Sequence, residues 1–324
     1  MFGFGRKDKV VDENNPHWER ELLQKLSLSS LTEQRRARRW SIFFKLLIFS
    51  YLFLLLYLGL KGQEITQSSR ATSLVAVVDI NGMIADGTRA DAETVLKGVR
   101  KAFEDKRTQG IILRINSPGG SPVQSDLIFR EIKRLREKHE DIPVHAVIGD
   151  MGTSGAYYIA SAAEDIYVNP ASIVGSIGVM MNGFGFVDTL DKLGVERRLM
   201  ISGDNKGILD PFLPLDEAHG RHMQRVLDDI HEEFITAVRE GRGERLSDDP
   251  VIFSGLFWSG REGIELGLVD GIGDVDYVAR EVIGEETVID FTPRPDLFKR
   301  FADRLGSSMA NVLAQQLGLG QLRY

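Results

Sequence analysis

Between Val147 and Ala163 the chain reads VIGDMGTSGAYYIASAA. An apolar run leads into a turn that sets Gly152 and Gly155 around Ser154, and an alanine-rich stretch follows. A serine at the mouth of a helix has two uses. It caps the helix, or it attacks a carbonyl once a base has taken its proton. The histidines stand at 17, 139, 145, 219, 222 and 231, none of them in a glycine turn. His145 falls inside an apolar run, and His222 and His231 fall on a long helical stretch, where a solvated or packed ring is the plainer reading. His231-Glu232-Glu233 lacks the second histidine of a zinc-protease helix, so no metal site is expected. Lysine is the remaining base. Lys206, in Ser202-Gly203-Asp204-Asn205-Lys206-Gly207, lies in a loop after the expected strand VERRLMI. There it is either solvated or, in a dry pocket that disfavours the ammonium form, a base.

A second glycine-rich turn, Asn116-Ser117-Pro118-Gly119-Gly120-Ser121, follows the apolar run GIILRI. If the two turns are neighbours across a sheet, an N–H near Gly120 and the N–H of Gly155 flank Ser154 Oγ and hold a developing oxyanion. Taken singly, each turn also serves as a plain strand-to-helix connection.

The elements that must position these turns alternate in period. Strands are expected at Leu74–Ile80, Gly110–Ile115, Pro143–Ile148 and Asp165–Val168, with helices at Asp91–Asp105, Val123–Lys138 and Ser154–Ala163. A strand at Val195–Ile201, a long helix from Asp216 to about Arg239 and a β-α pair near Arg261–Tyr277 follow. Successive β-α units with largely apolar strands predict an α/β fold with a parallel sheet covered by helices. In such sheets, sites collect where strands end and helices begin, which is where both glycine turns stand.

The chain has 324 residues and no cysteine, which excludes disulfides and thiolate chemistry. Its net charge of −7 is unevenly spread. Residues 1–61 hold 11 Lys/Arg against 6 Asp/Glu, whereas residues 62–324 hold 29 against 41, an acidic body unsuited to nucleic acid. Residues 41–60, SIFFKLLIFSYLFLLLYLGL, carry a single charge at Lys45. As a helix they rise about 30 Å, the depth of a bilayer core. The preceding RRARRW places Arg35, Arg36, Arg38 and Arg39 at one end, predicting a cytoplasmic N-terminus with residues 62–324 on the far side of the membrane. The expected organisation is a cytoplasmic tail (1–40), a transmembrane helix (41–60), a polar linker (61–73), one α/β domain (74–294) and an amphipathic tail (295–324).

Taken together and in this order, NSPGG, MGTSGAYYIASAA, NPASIVGSIGV, SGDNKGILDPF and REGIELGLVDGIGD resemble the signal peptide peptidase A family, in its short, single-anchor bacterial form. The resemblance covers about residues 70–280. Ala156 stands where that family usually has a second glycine after the serine, a small change. The resemblance implies a crotonase/ClpP-like superfold of stacked β-α units and a membrane serine endopeptidase using a Ser/Lys dyad. Ser154 would be the nucleophile, Lys206 the general base and Ser176 the hydroxyl that orients the lysine amine. Gly120 and Gly155 would form the oxyanion hole, with the N–H of Gly119 as an alternative to that of Gly120. It implies residual signal peptides and other membrane-associated peptides as substrates, no cofactor, and a homo-oligomer in the bacterial inner membrane, with Lys206 serving either the Ser154 of its own chain or that of a neighbour. An extended substrate would pair near residues 117–121 and 172–179, with Ser121, Ile173, Val174 and Ile177 as candidate binding residues. Two competing functions on the same fold are an acyl-CoA hydratase or isomerase, which would act through a carboxylate, and a membrane scaffold without activity.

Overall fold

A computed structural model describes residues 33–55, 57 and 71–293. The chain divides into two compact units, Met1–Arg70 and Ala71–Tyr324. In the first unit, residues 33–55 form one helix, α1, whose side chains are exposed along its whole length. Among the described residues no helix is long and apolar enough to cross a membrane. Residues 56 and 58–60 of the expected span lie outside the described residues, as do the expected linker up to residue 70 and the amphipathic tail 295–324.

The second unit is built on β1 (Leu74–Asn81), β2 (Thr108–Ser117) and β3 (Val144–Thr153), which pair in parallel. Their runs are largely apolar because both faces are covered, and the charged Asp79 and Arg114 stand opposite one another in register and pair. Leu74, Ala76, Val78, Ile80, Leu113 and Ile115 face one core, packed beneath α2 (Ala92–Glu104), α3 (Pro122–Lys138) and α4 (Gly155–Ala160). Val75, Val77, Ile112 and Val147 face a smaller core closed by Val278 and Ala279. The helix starts are written locally. Asp91 caps α2 by accepting the Thr94 N–H at 2.7 Å, and Ser121 caps α3 with Pro122 in the first turn.

Strand β3 changes partner along its length. Ala146–Ile148 pair with β4 (Ile166–Val168), and Met151–Thr153 pair with β5 (Ile173–Gly175). The Ser172 hydroxyl donates to the Gly149 carbonyl at 2.5 Å at the point of exchange. This second pairing extends β3 five residues beyond the expected Ile148, up to Thr153, and carries the chain to Ser154. The rest follows as α5 (Val187–Lys192), α6 (Glu217–Arg242), β6 (Phe257–Ser259), α7 (Gly260–Glu265), β7 (Gly271–Ile272), α8 (Val275–Tyr277) and β8 (Val288–Asp290). The sheet runs β6-β5-β3-β2-β1-β8, with β4 also pairing β3 and β7 pairing β4, and among the described strands only β5–β6 is antiparallel.

The expected strand Val195–Ile201 is not formed. These residues are irregular and mostly exposed, because among the described residues no strand runs beside them to satisfy their backbone groups.

His145, on β3, is 4% exposed, and its Nδ1 makes no hydrogen bond although Asp165 Oδ2 lies 3.4 Å away. Burial pushes its pKa below the ordinary imidazole value, outweighing the carboxylates of Asp165 and Glu164. The unfolded chain therefore takes up a proton that the folded chain resists, and the contribution is present above about pH 6.5 and lost as pH falls. Urea unfolding is expected to give a constant stability from pH 8 to 7 and a decline below 6.5, of at most about 1.4 kcal/mol per pH unit for one proton. His145→Gln should flatten that decline; an unchanged pH profile in the variant would reject the assignment.

Candidate active site

Ser154 stands between the end of β3 and the first residue of α4 with φ 53° and ψ −127°. Only a few per cent of non-glycine residues have positive φ, and such a conformation persists where the surroundings over-determine it. Here the Ser154 N–H donates to the Gly175 carbonyl at 2.8 Å, and the Ser154 carbonyl accepts the Tyr158 N–H at 3.0 Å. Its hydroxyl makes no capping hydrogen bond. Of the two uses open to Ser154, capping is thus not the one taken.

The turn after β2 lies directly against this corner. A Cβ on Gly119 would come within 2.7 Å of the Gly155 nitrogen and 2.8 Å of Ser154 Cβ, so only glycine lets the two turns meet. A Cβ on Gly155 would lie 3.2 Å from the Gly120 nitrogen. The N–H of Gly119 is committed to Ser117 Oγ at 3.1 Å. The bridge between Ile84 and Gly120 uses the Gly119 carbonyl and the Ser121 N–H, leaving the Gly120 N–H out of the ladder. Gly155 opens α4, where an N–H has no partner within the helix. Between the alternatives for the first turn, Gly120 is therefore the donor still open.

Ser154, Gly119, Gly120 and Gly155 share a cleft of about 710 Å³ with Ser176, Tyr158, His231 and Phe234. Ser176, after β5, also has φ 53°, and its N–H donates to the Leu256 carbonyl at 2.7 Å. Tyr158 stacks on Phe234 with ring centroids 4.9 Å apart and donates its hydroxyl to Asp126 at 3.0 Å. Burial, then the Asp126 carboxylate, pushes that phenol well above its ordinary pKa, so it stays protonated. A serine hydroxyl in a cleft lined by two glycines whose N–H groups are left open by the ladder and by the helix is suited to acyl transfer.

Lys206 is not brought into this cleft. It lies exposed in the turn 202–209, with its N–H donating to the Gly203 carbonyl at 3.0 Å. Ser121 also lies off the cleft, its Oγ accepting the Gln124 N–H at 3.4 Å as the cap of α3. Ile173 is half-buried on β5. Val174 and Ile177 are fully buried in the main core, so their side chains cannot form a wall for substrate, which corrects that expectation. Tyr158, Phe234 and His231 escaped the sequence reading as cleft residues. Tyr158 carried a signal, since residue i+4 on a helix shares the face of Ser154, but nothing local marks Phe234 or His231.

The site and sheet thus define a serine hydrolase scaffold of the α/β class. The chain matches the family model "Peptidase family S49" over residues 136–288. It is 38% identical over 275 residues to a Brucella abortus protein named "Na(+)/H(+) antiporter NhaA", covering 82% of this chain but only 37% of that protein's length. It is 33% identical over 255 residues to "Putative protease slr0021" of Synechocystis, covering 76% of this chain and 88% of that protein. The Arabidopsis "Serine protease SPPA, chloroplastic" is 29% identical over 188 residues, 58% of this chain and 27% of the other. A solved membrane-bound stomatin-specific protease in complex with a substrate peptide aligns over 72% of this chain and 98% of its own, with a TM-score of 0.43 and 16% identity. The chain belongs to the signal peptide peptidase A family of serine proteases, peptidase family S49.

Proposed function

We propose that this chain is a membrane-anchored serine endopeptidase that degrades residual signal peptides and other membrane-associated peptides, with Ser154 as nucleophile and Lys206 as general base. The observation that carries the reading is Ser154 at a positive-φ corner, its hydroxyl uncommitted, beside the open N–H groups of Gly120 and Gly155. Lys206 Nζ takes the Ser154 Oγ proton as Oγ bonds to the peptide carbonyl carbon. The carbonyl oxygen becomes an oxyanion held by the two N–H groups. The C–N bond then breaks, the lysine ammonium giving its proton to the leaving amine, and water repeats the sequence on the ester to free Ser154. Ser176 Oγ orients the lysine amine.

Lys206 lies outside the cleft of its own chain, which supports a dyad completed between copies. Between residues 180 and 212 the side chains of Met180, Phe184 and Met200 are exposed, Met200 to 96%, the kind of surface a second copy would cover. The anchor is supported by α1, where Trp40, Phe43, Leu46, Phe49, Leu52 and Phe53 are all more than half-exposed, and by the arginines at 35–39 that would hold its first end in the cytoplasm.

The test is hydrolysis of a signal peptide by the full-length protein in detergent, compared with Ser154→Ala and Lys206→Ala. Wild-type protein that is folded but cuts nothing would overturn the reading. Gly120→Ala probes the oxyanion hole separately. Its Cβ would fall 2.0 Å from the Ile84 carbonyl oxygen, forcing the bridge apart and moving the Gly120 N–H. A loss of about a hundredfold in kcat with the fold retained is expected, and full activity would remove Gly120 from the site.

A further inference from the structure

We infer that His231 is a positioning residue that holds Ser176 in its working conformation. The inference rests on the reading of Ser176 as the group that orients the lysine. His231 Nε2 lies 3.1 Å from the carbonyl oxygen of Ile177, fifty-four residues earlier in the chain. A carbonyl only accepts, so Nε2 carries the hydrogen, which is the case both in one neutral tautomer and in the imidazolium. Ser176 directly precedes Ile177 and sits at φ 53°, a conformation that a serine leaves unless its neighbours hold it. Two contacts from outside the segment bracket it: Ser176 N–H to the Leu256 carbonyl on one side, and His231 to the Ile177 carbonyl on the other. Close packing tightens the first side, where a Cβ on Gly178 would lie 3.0 Å from the Gly255 Cα. The Ile177 side chain, fully buried, fixes the segment from beneath.

The helix that delivers His231 is itself held in place. Three residues on, Phe234 stacks against Tyr158 of α4, and at the far end of α6 Arg242 is paired with Asp270. A ring presented from a fixed helix can transmit that rigidity to the 176–178 segment; a mobile one could not. When the imidazole donor is removed, the segment keeps its buried Ile177 and one hydrogen bond, so the fold survives. Ser176 then relaxes away from positive φ, and its hydroxyl leaves the place it holds in the cleft.

The experiment is a double-mutant cycle in the full-length protein with a peptide substrate, using Ser176→Ala, His231→Leu, the double variant and His231→Gln. Each is checked by circular dichroism and thermal melting. His231→Leu is expected to lower kcat about tenfold with KM within about twofold. His231→Gln, which keeps an N–H at similar reach, should recover most of the loss. The double variant should be no slower than Ser176→Ala alone, since the two residues act through one hydroxyl. Multiplying losses in the double variant, wild-type kcat in His231→Leu, or no recovery with glutamine would each overturn the inference. If His231→Leu does not fold, the glutamine variant decides: at wild-type melting temperature it must retain activity, and its inactivity rejects the role. Wild-type kcat in Ser176→Ala removes the Ser176 reading and this inference with it, while leaving Ser154 and Lys206 untouched.

Discussion

Mixing two dead proteins is expected to restore peptidase activity. Ser154→Ala and Lys206→Ala should each lose essentially all hydrolysis, because a serine without its base, or a base without its nucleophile, leaves only the oxyanion donors and binding. The turn carrying Lys206 is exposed and does not line the cleft that holds Ser154. If the lysine reaches the cleft of a neighbouring copy, a Lys206→Ala chain keeps a competent serine and a Ser154→Ala chain supplies the missing amine. After unfolding and co-refolding at equal amounts in a closed ring, about a quarter of the sites would pair an intact serine with an intact lysine. Recovery to about that fraction of wild-type kcat, with an unchanged KM, is the expected result. No recovery, in a mixture whose chains are seen to co-assemble by crosslinking, would put the dyad within one chain and require the 202–209 turn to fold over the cleft.

The second large effect concerns stability. Arg242, at the end of α6, has a fully buried side chain and grips Asp270 with two hydrogen bonds of 2.7 and 2.9 Å, while its Nε donates to the Gly267 carbonyl. Asp270 also accepts the Ile166 N–H at 2.7 Å and an Arg245 N–H at 3.1 Å. One carboxylate, on the residue just before β7, thus ties α6 and the start of β4 together. Burial pulls the Asp270 pKa up, but the hydrogen bonds and charge of Arg242 outweigh it and hold the pKa below the usual carboxylate value. Its contribution is therefore present above about pH 4 and lost as pH falls through the lowered value.

Asp270→Asn leaves the guanidinium buried and unpaired, a change that costs about 3–5 kcal/mol. For a domain of this size that lowers the melting temperature by about 10 °C. Replacing both partners, as Arg242→Met with Asp270→Leu, should recover much of the loss, since no buried charge is then left alone. A melting temperature for Asp270→Asn within 2 °C or so of wild type would mean that water or another carboxylate takes over. Because α6 brings Phe234 and His231 to the cleft, the single variant should also lose activity below its melting point.

Much of this molecule is written locally. The strands β1, β2 and β3 follow from apolar runs too continuous for a one-sided sheet, and α2, α3 and α6 from their period and from Asp91, Ser121 and Asp216 as caps. The two glycine turns are legible because only glycine allows two backbones to meet as Gly119 and Gly155 do. Family membership also follows from residue order, since the five motifs are short, specific and correctly spaced. Tertiary structure decided what no local pattern encodes. The extension of β3 to Thr153, next to Ser154, depends on β5 replacing β4 as its partner, a pairing between residues twenty-two apart. That the Gly119 N–H is taken while the Gly120 N–H stays out of the ladder depends on the Ser117 hydroxyl and on the bridge to Ile84. The segment Val195–Ile201 reads as a strand in sequence but lacks a neighbour among the described residues, and a strand is a property of a pair. His231 and Phe234 reach the cleft only because α6 is pinned by Arg242 and stacked on Tyr158, contacts made across the fold. Sequence determined the chemical groups and the turns that carry them, because those depend on residue type and near neighbours. The meeting of those groups was decided by packing, because it depends on elements far apart in the chain being held against one another.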